Sequence, residues 1–428
     1  MKIKKIAVIL IGIITICSGV IFAETLSIHK AIQSGLKNSY SMIQQNYELE
    51  QSKNNLYSSF LNILPTAQYG ISSTTSDGTT NKSGSISLSE SISSNDYRYF
   101  SIKKDVSSLK QEKLNNEINR KNFIYDVISK YIDVLKAKKY LKISAQKVKQ
   151  SKMDMSHTQT LFDNGKASTL DVEQAKISLY QVKIDSMQAS NNYENSITNL
   201  CFFINISDRE NYEFEDLDFE LADESRRMTI QRDESNPVFI EENNLSIEYS
   251  KESLKQAKLS YFEDKLSFLP TMRFSMSKNW NWGEVDKIVN DFNSSNSSSY
   301  TLSLSYPLLN PLTNYPSYRS SKLDLKISKL NLKNIKKEKN NDFAYQVKLL
   351  QQQMKNLELL KRQEKLTERH FDLTRQKYQL GKVDLSDMES EREKLFTAKF
   401  DNIRAYYELI LLQEKINMIT NQKLLGSY

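Results

Sequence analysis

A chain of 428 residues with 26% charged side chains and a formal charge of +7 shows no clustered basic face, which excludes dedicated nucleic-acid binding. Its ten glycines and six prolines leave 85–164, 166–236, 317–380 and 382–425 free of both. Such long polar runs exclude a compact α/β domain and read as very long helices; about 60 residues at 1.5 Å each span roughly 90 Å.

Residues 1–23 read as a secretory signal peptide: Lys2, Lys4 and Lys5, then an apolar stretch from Ile6 to Ile16, then Ala23 before Glu24. Removing it takes away three lysines and no acid, so the formal charge falls to +4. A lipidated Cys17 is the alternative, although Ile16 is larger than the small residue that usually precedes an acylated cysteine. Cys201 is then the sole cysteine, so no intrachain disulfide forms and packing or partners must hold the exported chain together.

The first structural repeat, 24–207, reads as a helix, strands at 66–75 and 84–93, and a long helical hairpin with its tip at Gly165. Residues 208–235 form an acidic linker, with nine acids and one arginine in 208–224, read as solvated. The second repeat, 236–428, has a helix, strands at 271–282 and 299–308, and a hairpin with its tip at Gly381. Pro65 and Pro270 mark the helix-to-strand breaks, in Leu64-Pro65-Thr66 and Leu269-Pro270-Thr271. Leu161-Phe162-Asp163-Asn164-Gly165-Lys166 recurs as Lys377-Tyr378-Gln379-Leu380-Gly381-Lys382, with Asp171 and Asp387 each six positions beyond the glycine. From Asn236 to Pro270 the second leading helix looks about seven residues longer than its counterpart from Asn38 to Pro65.

The strands alternate with a period of two. Ala67, Tyr69 and Ile71; Ile86, Leu88 and Ile92; Met272, Phe274, Met276, Trp280 and Trp282; and Tyr300, Leu302, Leu304, Tyr306 and Leu308 form four apolar sets. Strands of about ten residues suffice to cross a bilayer at a tilt. The loops 76–84 and 281–298 have the Ser, Asn, Gly and Thr of exposed tips. On the last long helical run Phe343, Val347, Leu350, Met354 and Leu357 step by 4, 3, 4 and 3, a coiled-coil seam. Backbone polar groups in lipid need partners, so only closed barrels are built from membrane strands. Four strands cannot close; two chains would pool eight and three would pool twelve, and twelve leave a lumen that eight fill with side chains.

In order and duplication these motifs resemble the TolC-like outer-membrane efflux protein family, over essentially the whole mature length. The Leu-Pro at Pro65 and Pro270, the Ser305-Tyr306-Pro307-Leu308-Leu309 segment and the Gly165/Asp171 and Gly381/Asp387 turns carry the resemblance. It implies a mixed α/β membrane protein, with a long α-helical periplasmic barrel and four transmembrane β-strands per chain, closing as a 12-stranded β-barrel in a homotrimer. It also implies a non-catalytic export duct in the cell outer membrane, for efflux or type I secretion. The implied partners are outer-membrane lipid, a periplasmic adaptor (membrane fusion) protein and an inner-membrane pump of RND or ABC type. Where some members carry a second acid, this chain has Gln174 and Ser390, so a periplasmic gate would rest on Asp387 with Asp384 or Glu391.

Each candidate residue also has a plainer reading. Gly165, Lys166, Gly381 and Lys382 are expected at adaptor-docking tips, although a tight helix turn alone asks for glycine. Asp384 and Asp387 could equally cap a helix, and Asp171 reads as a cap. Trp280, Trp282, Tyr300 and Tyr306 suit an aromatic girdle at the bilayer surface, or ordinary strand packing. His29, His157 and His370 lack metal-ligand spacing, and no P-loop or GxSxG is present, so neither cofactor nor metal is expected. The competing function is a periplasmic coiled-coil spacer without transport, which explains the helices but not the strands.

Overall fold

The computed structural model describes residues 24–76, 79–92, 98–206, 212–217, 241, 244–281, 292, 298–306 and 308–426. The signal segment with Cys17, most of the linker, Trp282 and Pro307 lie outside them. In chain order the elements are β1 (Glu24–Leu26), α1 (Ile28–Asn38), α2 (Tyr40–Leu61), β2 (Thr66–Ser76), β3 (Thr79–Ile92), α3 (Arg98–Asp163), α4 (Thr169–Ile204), β4 (Tyr212–Phe214), α5 (Leu245–Leu266), β5 (Thr271–Asn281), β6 (Ser298–Ser305), α6 (Asn310–Gln379) and α7 (Leu385–Ile419).

The repeat is tighter than its spacing suggests. The leading helices α2 and α5 both have 22 residues, so the expected extra length of the second is absent. Asn244 sets that start: its side chain accepts hydrogen bonds from the Ser246 and Ile247 amides, 3.1 and 3.2 Å away. The long helices run 66 residues in α3 and 70 in α6; α4 and α7 have 36 and 35.

The compact units of the structure do not follow the repeats. One compact unit takes the described residues of Met1–Ile43, Arg120–Phe239 and Asn341–Tyr428; the other takes those of Gln44–Asn119 and Ile240–Asn340. Each therefore draws on both halves of the sequence.

The second unit holds an antiparallel sheet in the order β2-β3-β5-β6. β3 begins at Thr79 rather than at 84, because 79–83 pair with 72–76. Cross-strand hydroxyl pairs support that extension, Ser72–Ser83 at 2.7 Å and Thr75–Thr80 at 3.0 Å. β6 ends at Ser305, short of the expected 308; the next turn includes Leu308 and Leu309, and Pro307 has no N–H to offer a ladder. Beside the sheet's helices, the buried Glu252 on α5 accepts from Ser107 and Lys110, at 2.9 and 2.6 Å.

The first unit holds the main apolar cores. The seam of Phe343, Val347, Leu350, Met354 and Leu357 packs on Ala405, Leu409, Leu412, Ile416 and Ile419 of α7, which repeat the same 4, 3, 4, 3 steps. A larger cluster joins Val127, Ile128, Tyr131, Ile132 and Leu135 of α3 to Leu200 and Ile204 of α4 and to Phe214. Part of the acidic linker is thus anchored, against the expectation of a wholly solvated segment. β4 pairs in parallel with β1, and Phe214 is 2% exposed, edge-on to Tyr131. The Tyr131 hydroxyl lies 2.8 Å from the carbonyls of both Leu26 and Glu215, and Lys139 pairs with Asp216 at 2.6 Å. The C-terminal segment is clasped too. The Leu425 amide donates to Glu414 at 2.8 Å and His29 Nδ1 lies 2.7 Å from the Gly426 carbonyl. Burial pushes the Glu414 carboxyl up to about 7, against the pull of its hydrogen bonds from Leu425 and Asn417.

Candidate functional site

Two regions hold most of the residues singled out from the sequence, the sheet and the helical tips. Register puts the strands' apolar residues on one side. Tyr69 stands opposite Ile86, Leu88 opposite Met276, Phe274 opposite Leu302 and Met272 opposite Leu304. Most of that side is bare: Tyr69, Ile71, Ile86, Leu88, Met272, Phe274, Met276, Tyr300 and Leu302 are all exposed, and Leu304 reaches 72%. Soluble folds rarely leave so large an apolar patch uncovered. Among the described residues no helix is long and apolar enough to cross a bilayer. Among the described residues β2 and β6 each pair on one side only, leaving two open edges.

The expected girdle aromatics fall into different settings. Tyr300 and Tyr306 are exposed. Trp280 is only 4% exposed: it lies over Gly84, stacks 6.1 Å from Tyr69 and meets Phe292 edge-on at 4.9 Å. A Cβ on Gly84 would come within 2.3 Å of the Trp280 ring, so glycine is the residue that fits there. The sheet's own packing thus accounts for Trp280. Trp282 lies outside the described residues.

The tips share one backbone solution. Gly165 has φ +74 and Gly381 φ +68. Each helix end closes with paired hydrogen bonds. The Gly165 and Lys166 amides donate to Phe162 and Leu161, both at 2.8 Å; the Gly381 and Lys382 amides donate to Tyr378 and Lys377, both at 2.9 Å. A Cβ at either glycine would meet nothing within 4 Å, so within the chain only the left-handed backbone requires glycine. The far ends of α4 and α7 use the same motif with asparagine. Asn205 and Asn421 have φ 54 and 59, each 40 residues beyond its glycine.

The acids beyond the tips differ. Asp171 forms a reciprocal capping box with Ser168; its carboxylate accepts from the Ser168 amide and hydroxyl, both at 2.8 Å. Those bonds, the backbone one foremost, hold Asp171 below the usual carboxylate range. Asp384 occupies the same capping place on α7 but makes no side-chain cap bond, and Asp387 lies in the first turn; both are exposed. Glu391 is engaged elsewhere, with Lys394 and His370 Nδ1 each at 2.8 Å. Its hydrogen bond from Lys394 is the main influence holding it low.

A buried charge cluster escaped the sequence reading. Arg392 is 1% exposed; its guanidinium donates to Asp154 at 3.1 Å and to Ser178 at 2.8 Å, and Arg375 approaches Asp154 at 3.9 Å. Helices α3, α4, α6 and α7 meet there. Burial pushes the Asp154 carboxyl up, against the pull of Arg392 and Arg375. A signal existed: Leu385, Met388, Arg392 and Leu395 step by 3, 4 and 3, so the arginine occupies a seam position. On α3, Ser144, Lys147, Ser151, Asp154 and Thr158 form a buried polar seam of the same period.

The family model described as outer membrane efflux protein matches residues 32–205. No curated protein matches the sequence. Among solved structures, CusC, described for folding and transmembrane channel formation, matches with TM-score 0.82 at 12% identity over 94% of each chain. The outer membrane protein VceC of Vibrio cholerae matches with TM-score 0.80 at 12% identity, over 93% of this chain and 97% of that one. The CmeC outer membrane channel of Campylobacter jejuni matches with TM-score 0.77 at 16% identity, over 92% and 86%. At such identities these likenesses are ones of fold. With a family match over the first repeat and a fold match over nearly the whole length, the chain is similar to outer membrane efflux proteins in sequence over 32–205 and has the fold of these outer-membrane channels.

Proposed function

We propose that three copies of this chain pool their strands into one twelve-stranded barrel in the outer membrane and act as a passive export duct. A single observation carries this reading: a four-stranded sheet with a mostly bare apolar side and two open edges. Lipid covers the apolar side, and β6 of one copy completes β2 of the next, so every backbone group finds a partner. Two copies would give a barrel filled by its own side chains; three leave a bore. The helices support assembly as well. Leu359, Leu366 and Leu373 on α6, and Leu380 just past its end, repeat every seven residues, and Ile177, Tyr180, Ile184 and Met187 on α4 step by 3, 4 and 3. All are exposed and fit seams between copies.

In this reading the tips around Gly165-Lys166 and Gly381-Lys382 meet a periplasmic adaptor, and an RND or ABC pump of the inner membrane supplies the energy. Asp384 and Asp387 form the gate. They are exposed and lack the capping bonds that hold Asp171, so their charge is available to the mouth of the duct. A periplasmic spacer would leave the apolar sheet unexplained. The test is accumulation of dyes and toxic compounds in cells lacking the chain. The reading expects accumulation to rise and to fall again on complementation. Unchanged export of every compound and secreted protein tried would end it.

A further inference from the structure

If the bare apolar side of the sheet faces lipid, its other side lines the bore, and the inference rests on that reading. The bore side is almost uncharged. Ser87, Ser277 and Ser299 form one row across it, and Ser89, Ser275 and Thr301 the next. The four strands contain four charged residues, Lys82, Glu90, Arg273 and Lys278. Register sends three of them to the apolar side: Lys82 stands opposite Ser73, Glu90 opposite Phe274 and Lys278 opposite Ile86. Arg273 alone takes the bore side, opposite Ser91 and Ser303. It is the third residue of β5, at the end of the sheet where the strands join their helices. Its side chain is exposed, and among the described residues no hydrogen bond or ion pair occupies it.

A guanidinium stays charged at any working pH. No carboxylate stands on the bore side of these strands to neutralise it, and hydroxyls solvate ions of either sign. Low-dielectric walls focus the field of such a charge across a narrow bore, and rings of arginine or lysine are how pores favour anions. We propose that Arg273, contributed once per copy, makes the strand-lined segment of the duct prefer anions. The cargo it favours carries carboxylate or phosphate groups. This preference opposes any cation preference from Asp384 and Asp387, so it is read as a difference between variants.

The full-length protein and its R273K, R273S and R273E variants are inserted into planar bilayers, and the reversal potential is recorded under a potassium chloride gradient. The chloride-to-potassium permeability ratio should hold in R273K, fall several-fold in R273S and fall further in R273E. A wild-type ratio in conducting R273E pores overturns the inference and leaves the duct standing. So does loss of pores in R273S with normal pores in R273K, which would mean that Arg273 holds the sheet rather than sets its field. Absence of conductance in the wild-type protein sinks the duct reading, and the inference with it.

Discussion

After Gly165 the chain commits its next acid to a cap, and after Gly381 it leaves two acids uncommitted. Both turns end a long helix with the same left-handed glycine and the same pair of hydrogen bonds. The difference lies three residues further on, where Ser168 and Asp171 satisfy each other while Asp384 makes no side-chain cap bond. One tip is therefore a closed structural unit and the other keeps exposed charge. Backbone repetition does not repeat the polar chemistry; that depends on the side chains set onto it.

The largest effect that could break this comparison comes from Arg392, on the helix that leaves the second tip. R392A would leave Asp154 buried without its closest cation, and unfolding of the detergent-solubilised protein should show a loss of about 3–5 kcal/mol. A loss near that of a surface residue would mean that the cluster is not the anchor of this hairpin. The next effect tests the caps directly. S168A should cost about 1 kcal/mol, seen as faster amide exchange at the start of α4. D384A should stay within about 0.5 kcal/mol, since no side-chain bond is lost. Equal costs would erase the distinction between the tips.

The smallest effect on stability separates turn from docking face. Asparagine tolerates the left-handed region, and this chain places it there at Asn205 and Asn421. G165N and G381N should therefore leave stability within about 0.5 kcal/mol while adding a side chain where a partner must approach. Export should fall in the double variant if the tips dock an adaptor. Unchanged export would reduce both glycines to turn residues.

What could be read from sequence was what is local. Pro65, Pro270, Gly165 and Gly381 break the chain for steric reasons, and the strands' period of two survives any context. The seam from Phe343 to Leu357 was legible from its own steps, and its partner on α7 was not read. Non-local matters were not. The start of α5 depends on the Asn244 cap, which the nearby Asn236-Pro237 obscured. The acid-rich composition of 208–224 hid the Tyr212–Phe214 strand, whose Phe214 is held by Tyr131 some 80 residues away. Burial of Arg392 follows from four helices converging, and a seam position raises that question without answering it. Trp280 was legible as a strand aromatic, but its seat over Gly84 depends on the pairing of β3 with β5.

The proposed duct depends on copies of the chain completing one another's sheet. The most direct measurement is the mass of the protein extracted from outer membranes in detergent, by native mass spectrometry with the detergent stripped in the gas phase. Three chains per particle, and precipitation when detergent is withdrawn, are the predicted outcome. A particle of one chain that stays in solution without amphiphile would contradict it.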